Sequence, residues 1–468
     1  MPKCADIHSV FIIGAGPIVI ARLVFGFAIS YVSFVTAAEP TGMSGSYLVY
    51  PTNDIFCARP ENAAEVIIDE DAAGLLKRLV RVPDCHAITL LPGDYPMKKA
   101  LHLKSGLSLF GQSGARLLQK NNGDLIIGSS ITNCRIVGLE LVGDKERFTG
   151  AAMAFQANCK SNSFSGLYIH DFGGDGLSFN GATTQYNSII SNRVENCMGA
   201  GIGHYWAAGD ALIEDNFVCR TRFHGIIVSR GGSRCRIADN TVVEAGYYLK
   251  ETSDFAHGIA VDGSGVVHGT GNVIIGNVIS NSAMAGIEVA DFQDNCAIIQ
   301  NKVFVTGRKH YGIYFGGGLT PSTNALIATN LVQDAAGSGI RVDSPLSGEK
   351  GITSQVTITG NTIRDSTGSG ILIGLATKVS VIGNVCQDNA KSSGSGDGIF
   401  VRGRGMPSQD ITLTGNRCFD DRVPPFQGYG IFLINVSGVR VSGNILKPNK
   451  DGTIHQREVS GATITDNF

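Results

Sequence analysis

Short runs of β-branched residues alternate with clusters of Gly, Ser, Asn and Asp along most of the chain. In one segment, Val379-Ser-Val-Ile-Gly-Asn384 is followed by residues 385–390, a Gly/Ser-rich turn and Gly398-Ile-Phe-Val401. No apolar period of 3.6 residues persists over a useful length. The pattern therefore predicts short strands and turns, with no helix inside the repeat.

An asparagine returns in the same setting once per repeat. The positions are Asn192, Asn216, Asn240, Asn277, Asn301, Asn330, Asn361, Asn384, Asn416, Asn444 and Asn467. Their spacing has a minimum of 23 to 24 residues with occasional excess, which is typical of a solenoid with loop insertions. Three short strands fit in such a repeat, and coils would stack roughly 4.8 Å apart. We expect each asparagine to lie at a sharp bend, where it adopts a left-handed conformation and its amide bonds to the next coil.

A second signature, Gly-Ile-x-Val, recurs between the asparagines. It begins at Gly176, Gly201, Gly225, Gly258, Gly286, Gly312, Gly339, Gly370, Gly398 and Gly430. Side chains alternate across a strand, so the Ile and Val side chains should face the core and the intervening side chains should face outward. We call these outward positions the glycine-strand face.

The first coil adds a resemblance to a known family. Ala87-Ile-Thr-Leu-Leu-Pro-Gly-Asp-Tyr95 is followed by Leu107-Ser-Leu-Phe-Gly-Gln112. With the repeats, this resembles the right-handed parallel β-helix superfamily of pectate lyases and polygalacturonases over residues 85–468. The resemblance implies an all-β chain with a single right-handed parallel β-helix. It is specific for the fold and weak for activity, because this fold hosts many chemistries.

The segment before the repeats divides into two parts. Residues 39–59 have the composition of an irregular linker, and residues 61–82 alternate charged and apolar positions with helical spacing. A helix here would cap the first coil, whose strand edges are otherwise unpaired. The predicted organisation is therefore an atypical N-terminus and signal or anchor segment (1–38), a linker and capping helix (39–84), and the β-helix (85–468).

The first 38 residues predict export. Arg22 precedes an apolar run over 23–35 and the small residues Thr36-Ala-Ala38, which is the pattern of a secretory signal. An uncleaved membrane anchor is the alternative, because Arg22 is the one charged residue over 10–38. We expect a secreted or periplasmic protein. Residues 1–20 closely resemble the start of the carbamoyl-phosphate synthase large chain, but no βαβ unit follows Gly14-Ala-Gly16, so we predict no nucleotide site.

Composition narrows the choice of partners and metals. The chain has 61 glycines in 468 residues, a net charge of −2 and no basic stripe, so nucleic acid is not an expected partner. Its eleven cysteines include no C-x-x-C pair, which argues against zinc. The cysteines that follow the asparagines (Cys197, Cys219, Cys386 and Cys418) are interpreted as small apolar residues of the coil interior, and a disulfide between Cys197 and Cys219 is left open.

Charge gathers in the middle coils of the glycine-strand face. The residues predicted to be catalytic are Asp262, Glu288, Arg341 and His257, and those predicted to bind substrate are Tyr205, Trp206, His224, Arg230, Tyr314 and Asp343. Paired carboxylates suit acid–base cleavage of a glycosidic bond. Carboxylates with an arginine suit a lyase, in which a cation neutralises a uronate while a base removes the adjacent proton. The aromatic side chains would stack on sugar rings.

The leading hypothesis is an exported carbohydrate-active protein that cleaves or modifies a polysaccharide on this face, as a lyase, a glycoside hydrolase or an epimerase. The alternative is a non-catalytic surface protein that binds a glycan or a protein partner, because the motifs of polygalacturonases and alginate epimerases are incomplete here. The sequence requires no cofactor and identifies no metal ligands, and calcium is left open. The chain stops inside a repeat without a second capping helix, so homo-oligomerisation through the last coil is also considered.

Overall fold

The computed structural model describes residues 45–52, 55–60, 67–248, 256–263, 267–307, 310–344, 351–391 and 396–468. Within them the chain forms one right-handed parallel β-solenoid with three strands in each coil, which confirms the predicted fold. Each strand pairs with its equivalent one coil away, so three columns of parallel strands enclose the core. Predictions about residues 1–38 fall outside the described residues.

The first column carries the glycine-strand face. Its strands are Leu101–His102, Ile126–Ser129, Met153–Gln156, Leu177–Asn180, Ile202–Tyr205, Ile226–Val228, Ile259–Asp262, Ile287–Ala290, Ile313–Gly316, Ile340–Asp343, Ile371–Ile373 and Ile399–Arg402. The long strands Tyr429–Ser442 and Gly452–Ser460 run through this column and into the next.

The second column ends before each asparagine, and the third begins after it. The second comprises Ala87–Leu90, Ser108–Gly111, Arg135–Val137, Ser163–Ser165, Ser188–Ile190, Leu212–Glu214, Arg236–Ala238, Val273–Ile275, Gln293–Ile299, Thr323–Ala328, Thr353–Thr359, Ala376–Ile382, Ser408–Thr414 and Thr463–Thr465, with the short Gly269–Thr270 beside it. The third comprises Gly93–Met97, Ala115–Gln119, Glu140–Val142, Tyr168–His170, Arg193–Glu195, Phe217–Thr221, Thr241–Ala245, Val278–Ser282, Lys302–Thr306, Leu331–Gln333, Thr362–Arg364, Val385–Gln387 and Arg417–Phe419.

The N-terminal cap differs in detail from the prediction. The helix spans Ala72–Arg81, and Leu75, Leu76 and Leu79 join the core cluster at the end of the first coil. Asp71 caps it by accepting a hydrogen bond from the Gly74 N–H (3.2 Å). The segment before it forms strands instead of linker and helix, at Ser46–Pro51, Phe56–Pro60 and Ile67–Asp69. Because Ser46–Pro51 pairs in parallel with Ala87–Leu90, these strands satisfy the open edge of the first coil.

The recurring asparagines form a continuous buried ladder. At each step the Oδ1 atom of one asparagine accepts both the backbone N–H and the side-chain Nδ2 of the asparagine one coil earlier, as between Asn330 and Asn361 (both 2.9 Å). The same Nδ2 also donates to a backbone carbonyl of the preceding coil. The amide contact predicted from the sequence is therefore confirmed.

The sequence predicted a left-handed conformation at each asparagine, and this prediction is wrong because the left-handed residue is one position earlier. The left-handed residue is the one before each asparagine, for example Asp215 (φ 59°), Gly360 (φ 62°) and Gly415 (φ 65°). That shift turns the asparagine side chain inward, where its amide meets the next coil. It also explains why Gly or Asp so often precedes the asparagine, since these residues tolerate positive φ best.

The described cysteines are buried and free. The strand register sets Cys219 beside Glu195, and not beside Cys197, so the pair considered for a disulfide does not align. Cys197 lies in the interior, whereas the Cys219 side chain points away from it. In the described part of the chain, no helix is long and apolar enough to cross a membrane.

Candidate functional site

The strand register aligns the central polar residues of the glycine-strand face. Glu288 pairs with Tyr314, and Tyr314 pairs with Arg341, so the three residues occupy the same position in three consecutive coils. With coils about 4.8 Å apart, Glu288 and Arg341 are separated by roughly 10 Å along the axis. The face therefore carries a carboxylate, a phenol and a guanidinium in a line.

Glu288 lies within a group of histidines that we call the acid–base cluster (His224, His257, Glu288 and His310). Its Oε2 atom is 2.9 Å from His257 Nε2. The His257 ring stacks nearly parallel to that of His224 (centroids 5.4 Å apart, 11° between planes) and meets His310 edge-on at 6.3 Å. The Glu288 side chain is 24% exposed and that of His257 only 2%, so a ligand reaches Glu288 more easily than His257.

His224 has a fixed tautomer. Its Nδ1 atom accepts a hydrogen bond from the backbone N–H of His257 (3.2 Å), so the ring proton is on Nε2. The same contact recurs at other residues that precede a glycine strand or its equivalent. Asp124, Asp175 and Asp397 each accept the N–H of the equivalent residue one coil later. His224 thus performs a structural task and also presents Nε2–H within the cluster.

The electrostatics favour a charged Glu288 and a neutral His224. Burial alone would raise the pKa of Glu288, but His257, His224 and His310 outweigh it and lower that pKa below its ordinary value. Burial lowers the pKa of His224 to about 3, with His257 adding to the effect and Glu288 opposing it. At neutral pH the cluster therefore contains a carboxylate and an uncharged His224 imidazole.

His257, predicted to be catalytic, is placed behind Glu288. Because its side chain is almost fully buried, it touches Glu288 instead of an incoming ligand. This geometry indicates that His257 positions the Glu288 carboxylate.

Asp262 and Arg230 are linked through the backbone. Asp262 is adjacent to Ala290 in the strand register, which makes it a diagonal neighbour of Glu288 on the same face. One of its carboxylate oxygens accepts the backbone N–H of Arg230 (3.3 Å). The Arg230 guanidinium in turn stacks on the Trp206 ring, 3.5 Å from its centroid, and Trp206 is 57% exposed. This stack forms an exposed flat surface at one end of the cluster.

Tyr205 packs on the protein surface and does not project from it. Its ring covers Gly203 and contacts a small apolar cluster of Ala200, Ile227 and Ala260. Its hydroxyl donates to Asp175, whose pKa burial raises to about 6 even though the Ala200 N–H, this hydroxyl and Ser178 oppose the increase. Ile227 and Ala260 face outward as predicted, but Tyr205 shields them from solvent.

Asp343 is a buried counter-ion. Its side chain is 1% exposed, Arg341 and Arg404 (2.9 Å) pair with Oδ2, and the N–H groups of Ser344 and Leu375 (3.0 and 3.1 Å) donate to Oδ1. Because these partners surround both oxygens, the carboxylate that was predicted to bind substrate instead positions the two arginines. The Arg341 guanidinium also lies over the ring of Tyr311, 4.6 Å from its centroid.

Gly374 provides the space for the Asp343 carboxylate, and this gives a test of the arrangement. A methyl group at Gly374 would collide with both oxygens of Asp343. We expect Gly374→Ala to lower the free energy of unfolding by about 1–3 kcal/mol, because the carboxylate must leave its backbone donors. Gly123→Ala is the matched control, since its added methyl would meet nothing closer than 3.4 Å. Equal denaturation midpoints for both variants would contradict this account.

The described residues of this face do not form a metal-binding site of the usual His, Cys, Asp or Glu ligands. Among the described residues, no group of three or more His, Cys, Asp or Glu side chains is arranged to hold a metal ion. The sequence requires no cofactor, and calcium stays the open alternative that it was there.

Several site residues were outside the predicted set. Tyr311 and His310 precede the Gly312 strand, and Arg402 and Arg404 come from a coil further along. The sequence signal for Arg402 was present, because it occupies the same outward position as Asp262 and Asp343 in its own repeat. Arg404 lies beyond its strand, where no repeat position predicts the contact. The sequence also predicts a loop insertion at 246–254, just before the Gly258 strand, and this segment lies mostly outside the described residues.

The fold and the polar face together define a β-helix protein with a titratable cluster on one outer surface. Residues 113–303 and 294–468 match the family described as "Right handed beta helix region". These matches cover most of the chain, and the protein belongs to this family. No protein of curated function matches the sequence.

Several solved structures share this architecture. The A-module of mannuronan C-5 epimerase AlgE6 from Azotobacter vinelandii is 14% identical, with a TM-score of 0.50 over 84% of this chain and 95% of that one. The Dettilon tailspike protein gp208 is 17% identical, with a TM-score of 0.48 over 87% and 68% of the two chains. The periplasmic alginate epimerase AlgG is 15% identical, with a TM-score of 0.39 over 80% and 78%. At these identities the likeness shows the fold alone.

Proposed function

We propose that this protein is an exported enzyme that performs proton-transfer chemistry on a polysaccharide lying along the glycine-strand face. The observation that carries the proposal is the Glu288–His257 contact of 2.9 Å at a partly exposed carboxylate, in line with Tyr314 and Arg341. A carboxylate that stays ionised, beside a phenol that stays protonated, is a base and an acid at adjacent coils. AlgE6, whose A-module shares this fold, is a mannuronan C-5 epimerase, and chemistry of that kind on a polysaccharide is consistent with this proposal.

Each side chain has one role. Glu288 accepts the proton that the reaction removes, either from a sugar carbon or from a water molecule that attacks the glycosidic carbon. Burial raises the pKa of Tyr314, and Asp343, Glu288 and Asp291 raise it further, so its hydroxyl remains a proton donor at neutral pH. Arg341 supplies positive charge one coil beyond Tyr314. The Trp206–Arg230 stack offers a flat surface to a sugar ring at the opposite end.

The test is a screen of the purified protein against uronate-containing and neutral polysaccharides. New reducing ends would report hydrolysis, and absorbance of unsaturated products would report elimination. Incorporation of deuterium from heavy water into a recovered polymer would report proton exchange without cleavage, as an epimerase requires. We expect one of these signals. Binding without any of them would contradict catalysis and favour a glycan-binding protein.

A further inference from the structure

Three guanidinium groups lie near the single carboxylate of Asp343. Arg341 and Arg404 pair with it directly, and Arg402 lies close enough to respond to the charges of Arg404, Asp343 and Arg341. We call Arg341, Arg402 and Arg404 the arginine patch. Its net charge with Asp343 is +2 (three positive and one negative), so the buried counter-ion leaves most of the positive charge uncompensated.

Arg402 is the incompletely paired member of the patch. Its Nε–H is buried and has no hydrogen-bond partner among the residues that the structure describes. Burial lowers the pKa of this guanidinium, and Arg404 and Arg341 lower it further against the opposing charge of Asp343. A buried donor without a partner costs about 1–3 kcal/mol, and an anionic acceptor would recover that cost once the Arg402 side chain rotates toward it.

The middle coils of the glycine-strand face therefore carry carboxylates on one side of Tyr314 and the arginine patch on the other. Asp262, Glu288 and Asp291 belong to two consecutive coils, and the arginine patch comes from coils beyond Tyr314. A neutral polymer would gain nothing from the arginine patch. A carboxylate there would place the rest of its sugar toward Tyr314 and Glu288.

We infer that the arginine patch binds the carboxylate of a uronic acid residue, so that the substrate is an acidic polysaccharide. A guanidinium presents parallel N–H donors that match the two oxygens of a carboxylate, which makes arginine well suited to this group. Arg341 and Arg404 are already held by Asp343, so Arg402 is the member of the patch whose guanidinium is not paired with that carboxylate. This inference rests on the proposed function for the location of the polymer, but it concerns binding and requires no turnover.

The experiment measures binding by calorimetry with the Glu288→Gln full-length protein, so that catalysis does not consume the polymer. The probes are a polyuronate, the same polymer after reduction of its carboxyl groups, and a sulfated neutral polysaccharide. We expect the polyuronate to bind at least tenfold more tightly than its reduced form. Binding of the sulfated polymer equal to that of the polyuronate would overturn a carboxylate-specific patch, and weaker binding would support it.

Variants distinguish binding at the arginine patch from a general attraction between the polymer and positive charge on the protein. Arg402→Gln is expected to weaken polyuronate binding about tenfold or more, and Arg402→Lys to restore only part of it, because lysine keeps the charge and loses the paired donors. Arg440→Gln, on the second column, is the matched control and should bind as the parent does. Matching circular dichroism and melting temperatures would establish that each variant is folded.

Two further results would overturn the inference. One is equal binding of the reduced and native polymers, and the other is unchanged binding by Arg402→Gln. Neither depends on the screen for turnover. A protein that binds polyuronate through Arg402 but shows no turnover would contradict the proposed enzyme and leave this inference standing.

Discussion

Asn330→Ala is expected to lower the free energy of unfolding by roughly 3–5 kcal/mol, which is a large effect for removing a side chain that makes no charged contact. Asn330 is 2% exposed, and its Oδ1 accepts the N–H and Nδ2 groups of Asn301 (2.9 and 3.0 Å). Its own Nδ2 donates to the carbonyl of Ile298. Alanine leaves these groups buried without partners, at about 1–3 kcal/mol each.

Denaturant unfolding with hydrogen exchange is the appropriate measurement, because long repeat arrays do not always unfold in one step. We expect exchange to increase most in the coils that contain Asn301 and Asn361. Lys302→Ala is the control, since Lys302 lies beside the ladder with an exposed side chain and should change stability by less than about 0.5 kcal/mol. Equal effects of the two substitutions would contradict a ladder that stabilises the coil stack.

The sequence predicted the ladder because its signal is periodic and local. Each asparagine follows a short β-branched run, and stacked coils leave a polar residue at that bend few partners except its own equivalent. The sequence did not reveal which residue adopts positive φ, because Asn itself is favoured there. The pattern of Gly360, Gly383, Gly415 and Gly443 before the asparagine was the available clue.

The site was predictable in composition but not in its contacts. Alternation across a strand places Glu288, Tyr314 and Arg341 on one face, and the structure agrees. The alternation of side chains across a strand does not predict whether other side chains cover an outward-facing carboxylate. Asp343 lies under two arginines. One of them, Arg404, is in the loop that follows the strand Ile399–Arg402, two coils away, so the burial of Asp343 depends on a contact that no repeat position encodes.

At the N-terminal cap, the sequence predicted that a helix exists but not where it begins. Helical spacing over 61–82 identified the helix but extended it too far, because the strand Ile67–Asp69 (Ile-Ile-Asp) also combines apolar and charged residues. The segment before the helix forms strands because the first coil has an open edge with which a strand can pair. Ser46–Pro51 pairs with it, and the two following strands extend that sheet. Tertiary pairing of this kind overrides local propensity.

Glu288→Gln is expected to reduce turnover by about 10²- to 10⁴-fold while leaving the fold intact. Glutamine keeps the shape of the side chain and loses the charge that accepts a proton. Glu214→Gln, on an outward position of the second column, is the matched control and should retain activity. The measurement is the initial rate on whichever polymer is active in the screen, together with the melting temperature. Comparable rates for the two variants would contradict the role of Glu288 as the base.

The pH profile tests the role of His257 separately. Because His257 is a main opponent of the burial effect on Glu288, its loss should raise the pKa of that carboxylate. The base would then be protonated at a higher pH, and the acid limb of the rate profile of His257→Asn should shift upward relative to the wild type. A uniform loss of rate with an unmoved acid limb would mean that His257 only supports the structure. An upward shift with a measurable plateau rate would show that it sets the ionisation of Glu288, which is the behaviour expected of a buried histidine that contacts the base and not the substrate.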